Sequence, residues 1–437
     1  MRGGALQAGA AAPGRAGWIA VIFAWSLPCS LFGMQAAVVA AAALGLGWTL
    51  WRRSAQPWRS RLERPLLLLL AAIGLSLLLA PRPPASFRAV TSFWVLAALP
   101  LTVWLLADRR HLRLALAGLL LIACAAAGLG LVQAASGWTP WPDVLHPGMG
   151  PLLEPAPGRP GWFAAVGLFH SRLTFAHVLL FPLAWAAALL LQPLALRWRL
   201  LAAAAAVLLA AGIAVSFTRA APVAGAAVVV GLIVARLRRG WPRWLAVALL
   251  AAAALAALLA APAVGGRLAR SFAGKKDWGR LAIWHSALDL GARQPLSGVG
   301  YGAFQRAAAG PIDQRRRQVG ADDFPGTLAW AHNNLLTFWA ECGALGVLAF
   351  VWLFVAWARA GLGALARARG DPLLQGFVRG SLAAVAAFLL VGLFHDTFFD
   401  GEVVFCLHFT LGATLAVGRW AGPAPPAPAP SAEAGHG

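Results

Sequence analysis

The sequence predicts an all-α, polytopic membrane protein of about twelve transmembrane helices, with a large and partly helical loop on the outer side. Three observations support this fold class. Of the 437 residues, 60% are hydrophobic and only 12% are charged. Apolar runs of about 20 residues, the length that crosses a bilayer as a helix, recur along the whole chain. Arginines gather in alternate short connections between these runs, which is typical of cytoplasmic loops.

The apolar runs define the spans in chain order. Stretch 16–51 is too long for one comfortable span, and Pro28 lies near its middle, so two short helices are expected there. The other ten spans are predicted at 64–80, 89–107, 112–135, 172–191, 199–217, 220–235, 243–261, 334–357, 376–395 and 401–418.

The arginines of the short loops set the orientation. With both termini in the cytoplasm, twenty arginines fall on the cytoplasmic side, and five fall on the outer side, namely Arg82, Arg88, Arg159, Arg172 and Arg219. Two long segments, 136–171 and 262–331, are then expected outside. The formal charge of +21 thus reflects membrane topology, and no nucleic-acid partner is expected.

The chain is expected to form a single membrane domain over residues 1–421. A Pro- and Ala-rich stretch, 422–437, is expected to be a disordered cytoplasmic tail. No cleaved signal peptide is expected, because the first apolar stretch continues into further spans. The four cysteines lie in apolar runs without metal or redox spacing, which favours small core residues.

The second outer segment, 262–331, contains a predicted helix. Asp277 can cap a helix that runs to about Arg293, since Gly291 and Pro295 are signals for a helix end there. Leu281, Trp284 and Leu288 form one apolar stripe on it, suited to a membrane surface or to neighbouring spans. Arg280 lies one turn before Trp284, where it can bind an anion or simply reach a lipid headgroup.

Beyond this helix, the segment contains a glycine-rich turn and a basic run. Gly298-Val299-Gly300-Tyr301-Gly302 lacks the ending of a phosphate loop and favours a tight turn where the backbone approaches a ligand or a helix. Arg315 to Arg317 are balanced by Asp322 and Asp323, which favours a solvated loop.

His332 stands at the mouth of the next span, followed by Asn333 and Asn334, which suit the polar start of a helix. A histidine there can be a polar anchor, but its near-neutral pKa also suits a general base. Glu341 lies more than two turns deeper, where a carboxylate needs a partner such as an arginine.

Other cationic groups mark the outer ends of earlier spans. Arg219 falls between two apolar runs with almost no loop, so it is either a topological turn or a ligand for a fixed anion. His170 and Arg172 open another span, with His177 inside it. Arginine forks match phosphate oxygens, so this face suits a lipid that carries a phosphate or pyrophosphate.

A metal site is conceivable in the last outer turn, where His395, Asp396 and Asp400 cluster. Their spacing is not that of a recognisable ligand set, so the signal is weak. No metal and no cofactor are therefore expected.

The motif around His332 resembles that of the O-antigen ligase family, whose membrane domain is shared with O-antigen polymerases and some protein O-oligosaccharyltransferases. His332 and Asn333 are followed, after nine residues, by Gly343 and then by Gly346. Arg280, ten residues and Gly291 resemble a second pattern of this superfamily, and 295–302 resembles its usual continuation. The family often has a leucine four residues after the arginine that aligns with Arg219. Here Val223 stands in that position.

The resemblance implies a glycosyltransferase of the bacterial inner membrane with its active site facing the periplasm. The donor would be a glycan on undecaprenyl pyrophosphate, and the acceptor would be a sugar of the lipid A core. It also implies that His332 is the general base of an inverting, metal-independent transfer, while Arg219 and Arg280 hold the pyrophosphate. The further candidate substrate-binding residues are Arg172, His170, Asn333 and Glu341.

Other functions stay open at the level of the sequence. An O-antigen polymerase or a protein O-oligosaccharyltransferase would use the same residues with another acceptor. A lipid or solute transporter is a further alternative, although transporters commonly show paired halves and broken helices near the midplane, whereas the charges here gather at one face. The sequence does not identify the glycan, its linkage, the acceptor sugar or the oligomeric state.

Overall fold

The computed structural model describes residues 14–80, 93–140, 153–236, 276–319 and 330–420. In these ranges the chain forms α-helices and short 3-10 turns without a β-strand. The helices are α1 Gly17–Ser26, α2 Leu31–Arg52, α3 Glu63–Leu79, α4 Ala98–Leu105, α5 Arg109–Ser136, α6 Arg172–Leu190, α7 Leu196–Val215, α8 Ala220–Arg236, α9 Lys276–Arg293, α10 Phe304–Val319, α11 Asn334–Arg367, α12 Pro372–Val391 and α13 Gly401–Trp420.

The predicted fold class, an all-α polytopic membrane protein, is confirmed. By length and composition, seven of the described helices are suited to cross a membrane: α2, α5, α6, α7, α11, α12 and α13. The predicted break in 16–51 is also confirmed, since α1 ends at Ser26 and α2 begins at Leu31. Ser30 caps α2 by accepting a bond from the Gly33 N–H at 3.0 Å.

Four predicted features differ in the structure or lie partly or wholly beyond it. The described part of the span predicted at 89–107 is a short 3-10 turn, Phe93–Ala97, followed by α4, which is fully buried; residues 89–92 lie outside the described residues. The span predicted at 334–357 is a longer helix, α11, with a break at Gly343. The predicted span 243–261 and the predicted tail 422–437 lie outside the described residues.

Three helices, α4, α6 and α13, form the centre of the helix assembly and are almost completely buried. Small residues let their neighbours approach closely. A Cβ atom at Gly380 of α12 would lie 2.5 Å from the Trp185 ring of α6. The Trp185 indole N–H donates to Ser381 at 3.0 Å, so this contact is both close and satisfied.

The helices alternate in direction, so their ends form two faces. The His332 face collects the first residues of α6, α8, α11 and α13. Contacts join these ends: Thr174 of α6 donates to Asp400 at 2.7 Å, and the Asn334 N–H donates to the Gly392 carbonyl at 2.7 Å. The opposite face collects the starts of α5 and α12, which the Arg109–Asp371 ion pair joins at 2.9 Å.

Candidate active site

His332 precedes α11 on the His332 face, and its side chain is 34% exposed. Its backbone is left-handed, with φ of 53°. Asn333 is the N-cap of α11, because its side-chain oxygen accepts from the Leu336 N–H at 3.1 Å. Its amide group donates to the Leu393 carbonyl at 3.0 Å. Asn333, predicted to bind substrate, thus uses its side chain in the structure to fix the turn that presents His332.

Asp396 holds His332 in place. Its carboxylate accepts from the His332 backbone N–H at 2.7 Å and lies 3.3 Å from Nδ1 of the same ring. It also accepts from the Asn333 N–H at 3.2 Å and from the Thr337 hydroxyl at 2.7 Å. A carboxylate at this distance favours the neutral tautomer with its proton on Nδ1, in which the lone pair of Nε2 can accept another proton.

The turn that carries Asp396 is itself fixed by Asn334, which is buried. The Asn334 amide donates to Thr397 at 2.9 Å and accepts from the Phe398 N–H at 3.1 Å. The two asparagines after His332 therefore have different structural partners, Leu336 and Leu393 for Asn333, and the 397–398 turn for Asn334. This agrees with the prediction that both suit the polar start of a helix.

Eleven residues beyond His332, α11 breaks at Gly343, whose φ of 63° and ψ of −161° are open to glycine alone. The loop 294–303 supplies the bonds that the helix loses there. The Ala340 carbonyl accepts from the Val299 N–H at 2.9 Å, and the Ala344 N–H donates to the Pro295 carbonyl at 2.7 Å. The Glu341 carbonyl likewise accepts from the Gly300 N–H at 3.1 Å, so the loop satisfies backbone groups on both sides of the break, as apolar surroundings favour.

The glycines of the loop and of the break permit this contact. A Cβ atom at Gly298 would lie 2.3 Å from the backbone of Glu341, and one at Gly343 would lie 2.5 Å from the backbone of Leu296. The tight turn predicted at 298–302 is therefore confirmed, and what it approaches is the backbone of a helix. Through this contact, the loop 294–303 holds α9, which precedes it, against α11, which follows His332.

The helix predicted over 277–293 is confirmed as α9, which begins one residue earlier, at Lys276. A Cβ atom at Gly291 would lie 2.2 Å from the Trp339 ring of α11, whose N–H donates to the Leu288 carbonyl at 3.1 Å. This close contact gives a physical reason for glycine at the end of the Arg280 pattern.

Arg280 lies in the second turn of α9. One turn later, Ile283 and Trp284 have contacts that show which part of the structure this end of α9 approaches. Ile283 packs in one hydrophobic cluster with Ala331, the neighbour of His332. The Trp284 ring lies 6.5 Å from that of Phe394, two residues before Asp396. Arg280 therefore lies one helical turn before the part of α9 that packs near the segments carrying His332 and Asp396.

The face of α9 that packs on α11 differs from the predicted stripe. Ala282, Ile283, Ala287 and Leu290 are buried, whereas Leu288 is 46% exposed. The prediction placed the large residues Leu281, Trp284 and Leu288 on one stripe. In the structure, the close approach of Trp339 favours a neighbouring face that includes the small residues Ala282 and Ala287. The exposed Leu288 fits the alternative that this edge meets the membrane surface.

Glu341 is completely buried beneath the loop 294–303. Its Oε1 accepts from the Phe304 N–H at 3.2 Å, and its backbone carbonyl accepts from Ser76 at 2.5 Å. The partner is thus a backbone N–H at the start of α10, where the helix dipole favours a negative charge, and not the expected arginine. Its substrate-binding role stays a prediction, while its structural contacts are with the chain itself.

Arg219 is exposed in the turn that joins α7 to α8, directly before the first residue of α8. Ser216 shapes this turn by accepting from the Thr218 N–H at 3.3 Å. The turn is tied to the first outer segment, since the Ala165 N–H donates to the Val215 carbonyl at 2.9 Å. Arg219 therefore lies on the His332 face, linked to the site through this segment.

Arg172 and His170 flank Ser171, the N-cap of α6 on the same face. The Arg172 guanidinium lies 3.5 Å from the Glu154 carboxylate, and His170 is exposed. Buried Gln133 anchors the segment before them, accepting from the Gly167 N–H and donating to the Gly167 carbonyl, both at 2.8 Å.

The predicted cluster of His395, Asp396 and Asp400 is divided between different partners. Asp396 binds His332, Asp400 accepts from Thr174, and the His395 ring lies 5.2 Å from that of His177. Burial raises the pKa of Asp400 to about 6, although the Thr174 bond lowers it. In the part of the chain that the structure describes, no three metal-ligating side chains form a group that could hold an ion.

The structure brings the predicted site residues to one face but joins only some of them directly. His332 and Asn333 share Asp396, and Arg280 lies on α9, one turn before the residues that pack near them. Arg219 and Arg172 reach the same face on separate helices. Sequence reasoning missed Asp396 as the partner of His332, and the only signal for it was its place in the last outer turn.

A comparison with protein-family models matches residues 204–351, about a third of the chain, to the family described as O-Antigen ligase. The match begins in α7, before Arg219, and ends in α11, beyond Gly346, so it includes the residues of both sequence patterns. No curated protein sequence matches the chain.

Proposed function

We propose that the chain is an O-antigen ligase, a membrane glycosyltransferase, because residues 204–351 match the family described as O-Antigen ligase. It transfers O-antigen polysaccharide from undecaprenyl pyrophosphate to a sugar hydroxyl of the lipid A core, at the periplasmic face of the bacterial inner membrane. The observation that supports this most directly is the His332–Asp396 pair on a face that favours anions.

In the proposed reaction, an acceptor hydroxyl attacks the anomeric carbon of the donor sugar. The new glycosidic bond forms as the bond to the pyrophosphate oxygen breaks, so the anomeric centre is inverted. The hydroxyl proton passes to Nε2 of His332, while Asp396 stabilises the imidazolium that results. Undecaprenyl pyrophosphate leaves with the bonding electrons.

The leaving pyrophosphate gains negative charge, which cationic groups on the His332 face can stabilise. Arg219 directly precedes the N-terminus of α8, and Arg172 begins α6, so each arginine adds to the positive end of a helix dipole. Arg280 approaches from α9. Preorganised positive groups of this kind perform the work that a metal ion does in other transferases, so the proposal requires no metal.

The test is a transfer assay with purified protein, a defined lipid-linked donor and lipid A core acceptor. We expect His332→Ala to reduce kcat by about 10²–10⁴-fold, the usual contribution of a general base, while membrane insertion persists. His111→Gln is the matched control, because His111 forms a similar pair with Asp108, at 2.7 Å, on the opposite face. Full transfer by His332→Ala would exclude the proposed base.

Two related activities are distinguished in cells that lack the protein. Loss of all polymer from the core supports the ligase. Core that carries a single repeat would instead indicate a polymerase, and loss of glycans from periplasmic proteins would indicate a protein O-oligosaccharyltransferase.

A further inference from the structure

A groove runs along the side of the helix assembly, and its basic end lies near the face opposite the His332–Asp396 pair. Its walls come from α6, α8 and α12, and it encloses about 480 Å³, within the range of about 300–1,000 Å³ that is usual for ligand sites. Small residues create the space, among them Gly231 and Ala235 on α8 and Ala383 and Ala386 on α12. The walls are apolar over most of their length.

The groove is long enough to hold much of an acyl chain. Along α12 it extends from Arg379 in the third turn to Leu390 near the end of the helix, a rise of about 16 Å. Ala386 and Leu390 are exposed at its edge, so the groove opens sideways, toward the space that lipid chains occupy.

At its end near the opposite face, the groove is basic. Gln192 is buried just beyond the end of α6, and its side-chain oxygen accepts from Arg236 at 3.2 Å and from Arg379 at 3.0 Å. Two guanidinium groups thus converge on one neutral oxygen. Within the described ranges, neither arginine has a carboxylate at ion-pair distance, since the ion pairs found there involve Arg109, His111, Arg172 and His332.

Helix capping explains the position of Arg236. Arg236 also donates to the Leu191 carbonyl at the end of α6, where a cation is favourable. Arg379 has no such role, because it lies in the third turn of α12, within a span. A cation at that depth, next to a second one, is costly unless an anion lies beside it.

We propose that this groove binds an anionic phospholipid, with its phosphate at Arg236 and Arg379 and one acyl chain along α8 and α12. Guanidinium forks bind phosphate oxygens through paired hydrogen bonds, and basic pockets between transmembrane helices suit such headgroups. The site lies at the end of the helices remote from His332, so this proposal does not depend on the proposed reaction.

The test measures lipid retention by the full-length protein in neutral detergent, using native mass spectrometry and thermal unfolding. Phosphatidylglycerol is compared with phosphatidylcholine and with undecaprenyl phosphate at equal concentrations. We expect phosphatidylglycerol to be retained and to raise the unfolding temperature. The double substitution Arg236→Gln and Arg379→Gln should weaken its binding about tenfold or more, because charge-assisted bonds are lost.

Two further variants test the headgroup site and the acyl-chain groove separately. Arg369→Gln removes an exposed arginine of the same face that does not line the groove, and it should bind phosphatidylglycerol like the native chain. Gly231→Leu should fold, because a Cβ atom there meets nothing within 4 Å, yet it should reduce binding by filling the groove.

Four results would overturn the proposal. The first is equal retention of phosphatidylcholine, and the second is better retention of undecaprenyl phosphate, which would make the groove a site for a polyprenyl tail. The third is unchanged binding by the double variant. The fourth is no retained phosphatidylglycerol together with no effect of Gly231→Leu on the unfolding temperature.

Discussion

Asp396, in the turn before α13, contacts both the backbone and the ring of His332. With its side chain 5% exposed, it accepts two backbone N–H groups and the Thr337 hydroxyl while facing Nδ1. An asparagine at this position offers one acceptor oxygen in place of two and adds donors that face other donors. The imidazole then loses the group that fixes its tautomer and orientation.

We expect Asp396→Asn to lower kcat on the order of 10²-fold in the transfer assay, with the KM for the acceptor little changed. Thr337→Val is the matched control. It removes one bond to Asp396 and the bond that Ala331 donates at 3.2 Å, but leaves both contacts to His332. If both variants unfold at similar temperatures and lose equal activity, Asp396 has only a structural role.

At this scale, the sequence predicted His332 but not its partner. The histidine stands out because it begins a span within a specific motif. Asp396 lies 64 residues later, beside two other titratable residues that resemble it, and only the packing of α11 against the 396–399 turn selects it. A partner defined by long-range packing has no local pattern in a single sequence.

At the scale of elements, the break in α11 connects the two segments that carry candidate site residues, α9 with Arg280 and α11, which follows His332. The loop 294–303 replaces helix hydrogen bonds on either side of Gly343, so α9 and α11 are held in one register. Periodicity predicted the helix but not the break, since an isolated glycine within an apolar run is compatible with a continuous span. The left-handed conformation of Gly343 depends on Pro295 and Leu296, which lie far away in sequence.

We expect Gly343→Ala to destabilise the protein by on the order of 1–3 kcal/mol, because alanine rarely adopts this conformation and its Cβ would meet the Leu296 backbone. Thermal unfolding in detergent measures the loss, and transfer activity should fall with it as α9 moves away from α11. Gly74→Ala in α3 is the control, since a Cβ atom there meets nothing within 4 Å. Equal unfolding temperatures for the two variants would contradict the strain at Gly343.

At the scale of the whole molecule, the two faces follow from alternation along the chain. The apolar runs predicted the order of the helices well, because each run is long and its ends are marked by arginine, proline or a capping residue. Of the span predicted at 89–107, the described part is the 3-10 turn 93–97 followed by α4, and α4 is buried in the centre of the assembly.

The arginine distribution predicts which face meets the cytoplasm, and cysteine labelling tests it. In a variant without the four native cysteines, Gln305→Cys and Pro160→Cys introduce exposed thiols into the outer segments, whereas Arg197→Cys and Arg369→Cys place them on the opposite face. A membrane-impermeant maleimide, added from the periplasmic side, should label the first pair about as fully as in detergent and leave the second pair unmodified. The reverse pattern would place His332 in the cytoplasm, where neither a periplasmic donor nor the lipid A core could reach it.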